Sequence, residues 1–229
     1  YWTISQQGDA QDFGDMGTGV RSTSAAGNQT RGIVAAGVPD SSKLQYITIA
    51  STGAGLDFGD PFQNRTQASA FSNPTRCCFA GGEAPSRVNT IDFVSIGTLG
   101  NAQDFGDITR AISGLFCVTN STRGIIAGGE FPSTFDTTMD FVTIASKGNA
   151  VVFGELIEQN SNGYRLAGTA SSPTRGCFMG GVNDSPASNT VYNLIQYVNI
   201  MTQGNAVDFG DLATTHGYVN IGNCSNAHG

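Results

Sequence analysis

The chain has 229 residues, of which 13% are charged and 31 are glycine, and it carries a net charge of −7. Glycine is about twice and charge about half its usual frequency, which describes a foldable, glycine-punctuated chain and not a disordered one. The negative balance opposes nucleic acid and anionic lipid, and no apolar run nears the roughly 18 residues of a membrane span, so neither nucleic-acid binding nor membrane insertion is expected.

In chain order, YWTIS and QDFGD (11–15) read as two short strands. A polar stretch then leads to Arg21 and to TRGIVAAG (30–37). The next unit is the clearest. LQYITIAS (44–51) alternates like a strand, TGAG turns, and LDFGD (56–60) forms a second short strand closed by Gly59 and Asp60. ASAFSNP (68–74) is a third strand ending in a proline turn, and TRCCFAGG (75–82) a fourth, stopped by a glycine pair. No segment carries a helical period of ten or more residues.

This unit returns along the whole chain. Tyr1, Tyr46, Phe93, Phe141 and Tyr197 are each followed twelve positions later by Phe13, Phe58, Phe105, Phe153 and Phe209, and the copies recur every 45 to 56 residues. Such a period marks a stacked or circular repeat architecture. Four short strands per unit, five times around, predict one all-β domain over 1–229: a five-bladed β-propeller with units at about 1–45, 46–92, 93–140, 141–196 and 197–229. The last copy is split. DFGDLATTHGYVNIGNCSNAHG (208–229) offers a first strand and the N-terminus offers the third and fourth. Closing the ring puts both termini in one blade and removes sheet edges. One strand of that blade has no donor. The blade has three strands, or the fourth comes from upstream residues or from a neighbouring chain.

Eight of nine arginines recur: Arg31, Arg76, Arg123 and Arg175 in the TR pair, and Arg21, Arg65, Arg110 and Arg165 before the preceding strand. They are expected to be structural, with Arg31, Arg76, Arg123 and Arg175 mostly buried and bonded to carboxylate or carbonyl oxygens, and Asp12, Asp57, Asp104 and Asp208 are natural partners. Cys77, Cys78, Cys117, Cys177 and Cys224 fit no metal spacing and read as small buried hydrophobes. DFGD lacks the companion motifs of a kinase and reads as a turn whose phenylalanine packs between blades. No catalytic, cofactor-binding or metal-binding residue is expected. From the DFGD phenylalanine to the TR arginine is 18 residues in three copies and 22 in the fourth, and from that arginine to the next aromatic 15, 17, 18 and 22, so length varies after the glycines (38–45, 83–92, 130–140, 182–196) and at 156–164. In repeat arrays such variation gathers on one face, often the binding face. The candidate binding-loop residues are Asp40, Lys43, Glu83, Arg87, Phe131, Phe135, Asn183 and Asp184.

The unit resembles a kelch repeat. Gly81-Gly82, Gly128-Gly129 and Gly180-Gly181 match its glycine doublet; Ala36-Gly37 departs from it, and phenylalanine stands where kelch units carry Trp. The wording GNAQDFGD, SSPTRG and SNAHG looks more specifically like the short-repeat virion and tail proteins of marine bacteriophages, the cyanophages. That resemblance implies a non-enzymatic structural or adhesive protein of a phage tail or virion surface, contacting other virion subunits or a host-surface glycan or protein in host attachment, with no cofactor. The alternatives are an extracellular lectin-like adhesion propeller and a propeller glycosidase or lyase.

Overall fold

A computed structural model describes residues 1, 7–17, 19–35, 37–39, 42–131, 134–158, 163–185, 188–216 and 224–225. No helix occurs among them. The first sheet, or blade, contains β1 (Ser24–Gly27), β2 (Arg31–Ala35), β3 (Leu44–Thr48) and β4 (Leu56–Gly59), paired antiparallel in sequence order. The second blade repeats the plan with β5 (Ser69–Ser72), β6 (Arg76–Ala80), β7 (Thr90–Ser95) and β8 (Gln103–Asp107). The third uses β9 (Phe116–Thr119), β10 (Arg123–Ala127), β11 (Thr138–Thr143) and β12 (Val151–Glu155). In the fourth, β13 (Gly168–Ser171) and β14 (Arg175–Met179) are followed by a separate hairpin, β15 (Val182–Ser185) with β16 (Ser188–Val191). That blade resumes with β17 (Leu194–Asn199) and β18 (Val207–Asp211), while β19 (Cys224–Ser225) lies parallel to β13. From Ser24 onward strands fall where the sequence puts them, trimmed at each end by turns; QDFGD (11–15), expected as a strand, forms none, and most of YWTIS lies outside the described residues. A second departure is the variable segment 182–196, which holds a β-hairpin where a loop was expected.

Local chemistry explains the regularity. Asn28, Asn73 and Asn120 each accept two backbone N–H groups through Oδ1, from the second and third residues ahead, which folds the chain tightly from the first strand of a blade into the second. In the fourth blade the Ser172 hydroxyl takes this role. Each third-to-fourth-strand hairpin carries a register shift just before Gln45, Asp92, Asp140 or Gln196, a bulge that re-aims these polar side chains.

The core lies between blades. Ile33, Leu44 and Phe58 of the first pack with Phe79, Val94 and Ile96 of the second, and similar clusters join the second to the third and the third to the fourth. Strands covered on both faces are therefore buried along their length, as in β9, where Phe116, Cys117 and Val118 are followed by a buried Thr119. Innermost strands pack in turn, with Ser72 Oγ donating to the Gly27 carbonyl at 2.6 Å and Thr119 Oγ1 to the Ser72 carbonyl at 3.1 Å. At the outside, each DFGD strand docks on the glycine turn of the next blade: Gly100 N–H on Phe58 O at 2.9 Å, Gly148 on Phe105 at 2.8 Å, Gly204 on Phe153 at 3.0 Å. Glycine is required there. A Cβ on Gly106 would stand 2.5 Å from the Gly148 oxygen.

The expected aromatic pairs form in all five copies as edge-to-face contacts, with ring centroids 5.8–6.1 Å apart. Each TR guanidinium lies over its own blade's aromatic, for example Arg123 over Phe141 at 4.6 Å.

The arginine expectations need correction. Arg31, Arg76 and Arg123 are half-buried and Arg175 is exposed. The first three do bond carbonyl oxygens, one of the two expected partner types, and these belong to the following blade, at Ile96, Ile144 and Ile200. Their proposed carboxylate partners act elsewhere: Asp12, Asp57 and Asp208 accept the N–H of the glycine two residues on. The sequence placed these acids correctly in a turn but could not show that a backbone N–H two residues away outcompetes a distant guanidinium. Cys77, Cys78 and Cys117 are buried as expected, Cys177 is only partly so, and the Cys224 side chain lies outside the described residues.

Candidate functional site

One face of the blades gathers the variable segments. The linker entering each blade meets the loop that follows the second strand through backbone bridges: Arg21 with Val38, Thr66 with Glu83, Ser113 with Glu130, and Arg165 with Val182. The described parts of the two long insertions of the fourth unit, 156–158 with 163–164 and 182–185 with 188–196, therefore belong to the same face, because strands alternate in direction.

The residue after each bridge adopts a left-handed conformation: Ser22 (φ 57°), Gln67 (56°), Gly114 (66°) and Leu166 (57°). A non-glycine residue held there costs of the order of 1–3 kcal/mol and persists only where its surroundings over-determine it. Here a chain of bonds does so: Gln67 N–H donates to Ser22 O, Gly114 N–H to Gln67 O, and Leu166 N–H to Gly114 O, at 3.1–3.3 Å. These residues, with Leu115 and Arg165, line a cavity of about 190 Å³ where the linkers converge. It has room for a small molecule, and Thr23 and Ala68 complete its lining.

Arg165 is anchored beside it. Glu130 receives Arg165 Nη1 at 2.5 Å on one carboxylate oxygen and Arg87 Nη2 at 2.7 Å on the other, while Arg87 Nε donates to Ser113 Oγ at 3.1 Å. One carboxylate thus ties together three successive units. Deeper in the linkers, Arg65 pairs with Asp92, whose carboxylate also accepts the Phe62 N–H. Burial pushes the Asp92 carboxyl above its ordinary value and the Arg65 guanidinium below its own, each opposed by the other's charge. Arg110 pairs with Asp136 and Asp140. In the fourth blade Gln196 replaces the acid and pairs with the Tyr164 hydroxyl, and the nearby arginine, Arg165, turns to Glu130. The four pre-strand arginines therefore do not share one repeat position, contrary to the expectation from sequence.

Of the predicted loop residues, the structure brings Arg87 to Glu130 and sets Glu83 and Phe135 in backbone bridges. Phe131 packs against the core cluster between the second and third blades, and Asn183 is buried with Nδ2 donating to Gly163 O at 3.4 Å. Phe131 keeps part of its surface accessible, whereas Asn183 does not. Lys43 is exposed; Asp40 and the Asp184 side chain lie outside the described residues. The residues that sequence reasoning missed, Ser22, Gln67, Gly114 and Leu166, share a backbone conformation and no side-chain chemistry. No signal in one sequence marks them.

Among the described residues no group of three or more His, Cys, Asp or Glu is arranged to hold a metal ion. No protein-family model matches the chain, and no curated protein matches it. Solved structures do. The structure titled "Structure of YjhT" superposes with a TM-score of 0.69 over 87% of this chain and 67% of its own, at 10% identity. The chain shares its all-β, multi-sheet fold with that protein. At this identity the likeness speaks for architecture alone.

Proposed function

We propose that the protein is a non-enzymatic structural or adhesive β-propeller of a virus particle, acting at the tail or surface through contacts with neighbouring subunits or a host-surface glycan or protein. The observation that carries this reading is where the recurring polar groups are spent. Arg31, Arg76 and Arg123 fasten each blade to the next, Asn28 and Asn120 donate to carbonyls of the following blade, and Glu130 ties three units together. Polar groups that recur from blade to blade and are engaged in joints suit a scaffold better than a single reaction centre. The varied loops, gathered on one face, remain as the contact surface.

The same reading takes the propeller as five-bladed, with both termini in the last blade. Two features support it. The N-terminal DFGD docks on the first blade as its counterparts dock on theirs, with Gly53 N–H on Phe13 O at 2.7 Å. At the other end Ser225 stands beside Ser171 in parallel register, the position for a fifth innermost strand. Joining the ends would seat the Gly8 turn on the edge of β18. That edge is now open: Phe209 is 59% exposed, whereas Phe58, Phe105 and Phe153 are 2–3% exposed.

Mass spectrometry of purified particles should find the chain among their components, and antibodies to the loop face should block attachment or assembly. Absence from particles, or turnover of a glycan by the purified protein, would overturn the proposal.

A further inference from the structure

Between the first and second blades lies a cavity of about 10 Å³, lined by Ser24, Ala35, Leu44, Arg65, Phe79 and Asp92 among others. In two of its lining residues a polar atom, Ser24 Oγ and Arg65 Nη1, is buried and makes no hydrogen bond to the protein. The other terminal nitrogen of Arg65 is fully engaged, donating to Asp92 and to the Phe79 carbonyl at 2.9 Å. A buried polar atom left without a partner is costly, and two such atoms on one cavity are rarely coincidental. The volume corresponds to about one water-sized sphere, too small for an organic ligand.

The later joints show what else can fill this position. Arg65, Ile112 and Tyr164 each directly precede the bridge residue of their linker, Thr66, Ser113 and Arg165. Ser24, Ser69 and Phe116 each open the innermost strand of the preceding blade. At the joint between the third and fourth blades the pair is Phe116 and Tyr164, stacked at 5.7 Å with an interplanar angle of 16°. At the first joint the same two places hold a short hydroxyl and a guanidinium, which leave a polar gap where two rings would meet.

We propose that a single water molecule is a permanent component of this joint, accepting a hydrogen bond from Arg65 Nη1 and bonding the Ser24 hydroxyl. It gives both atoms the partner that the protein does not provide, and it completes contact between blades without an apolar filler.

A high-resolution crystal structure should show one density peak within hydrogen-bonding distance of both atoms, and magnetic relaxation dispersion should count one long-lived internal water there. The double variant S24F/R65Y, which transplants the pair from the third joint, should lose the peak and that water and stack its rings. Should that variant not fold, Ser24→Ala is the milder test: one of the water's partners is gone, so its residence time should shorten measurably while the Arg65–Asp92 pair stays. A dry site in the unaltered protein, a direct Ser24–Arg65 hydrogen bond, or a residence time unchanged by Ser24→Ala would each overturn the inference.

Discussion

Arg76 belongs to the second blade and Ile144 to the third, yet the arginine's Nη1 donates to the isoleucine carbonyl at 2.8 Å while its guanidinium rests 4.8 Å from the centre of the Phe93 ring. One side chain thus closes its own blade and fastens the next. Replacing Arg76 with Ala should destabilise the protein by about 1.5–3 kcal/mol, the range for a hydrogen bond to a charged group. Arg175 is exposed, and its replacement should cost less than about 1 kcal/mol, the range of an exposed cation–π contact. Urea midpoints of the two variants check this; equal losses would show that the bond between blades contributes nothing.

Gly106 has φ +143° and its backbone touches the Gly148 turn of the next blade, so an alanine there is both strained and overpacked. Gly106→Ala should cost about 1–3 kcal/mol for overpacking alone. Gly210 has nearly the same conformation, φ +140°, with nothing within 4 Å of its position. In the closed ring proposed above, Gly210→Ala costs as much as Gly106→Ala. A clearly milder effect on the melting temperature ends the closed-ring reading.

Burial keeps the thiols protonated: Cys117 is pushed up to about 12, and Cys77 and Cys78 are raised well above their usual range by the same loss of hydration. In the unfolded chain thiols ionise near about 8.5. The folded state therefore holds protons that the unfolded state has released, and stability falls as pH rises from about 9 towards 12. Tyr164, raised by burial, adds to that decline. At pH 8 a thiol reagent should label Cys177 well before Cys77, Cys78 or Cys117. Uniform labelling of the native protein would contradict this burial.

The hairpin of β15 and β16 is a candidate contact element on the loop face. Its base is built in: Val182 and Asn183 are buried. Replacing residues 184–189 by Asn-Gly keeps the Val182–Val191 and Asn183–Thr190 pairs and should leave the melting temperature within a few degrees of the parent. Attachment or assembly should weaken. If these instead follow changes at Asn101 or Pro74, the contact face is the opposite one.

The sequence determined by itself what is local and periodic. Twelve residues from Tyr46 to Phe58 are two strands and a turn, and that spacing alone brings the rings together, as it does in every copy. Glycine doublets, Asn-capped turns and four strands per unit follow from the same short-range rules. Tertiary structure decided which groups meet across blades. Arg123 and Ile200 are 77 residues apart, and nothing near either names the other. It also decided exposure: Ile49 and Ile96 hold the same repeat position, yet Ile49 is 47% exposed and Ile96 fully buried. The difference is the neighbouring blade, whose presence is a property of the assembled sheets. The left-handed backbone at Ser22, Gln67, Gly114 and Leu166 is set in the same way, by bonds between units, because no shared side chain prefers it.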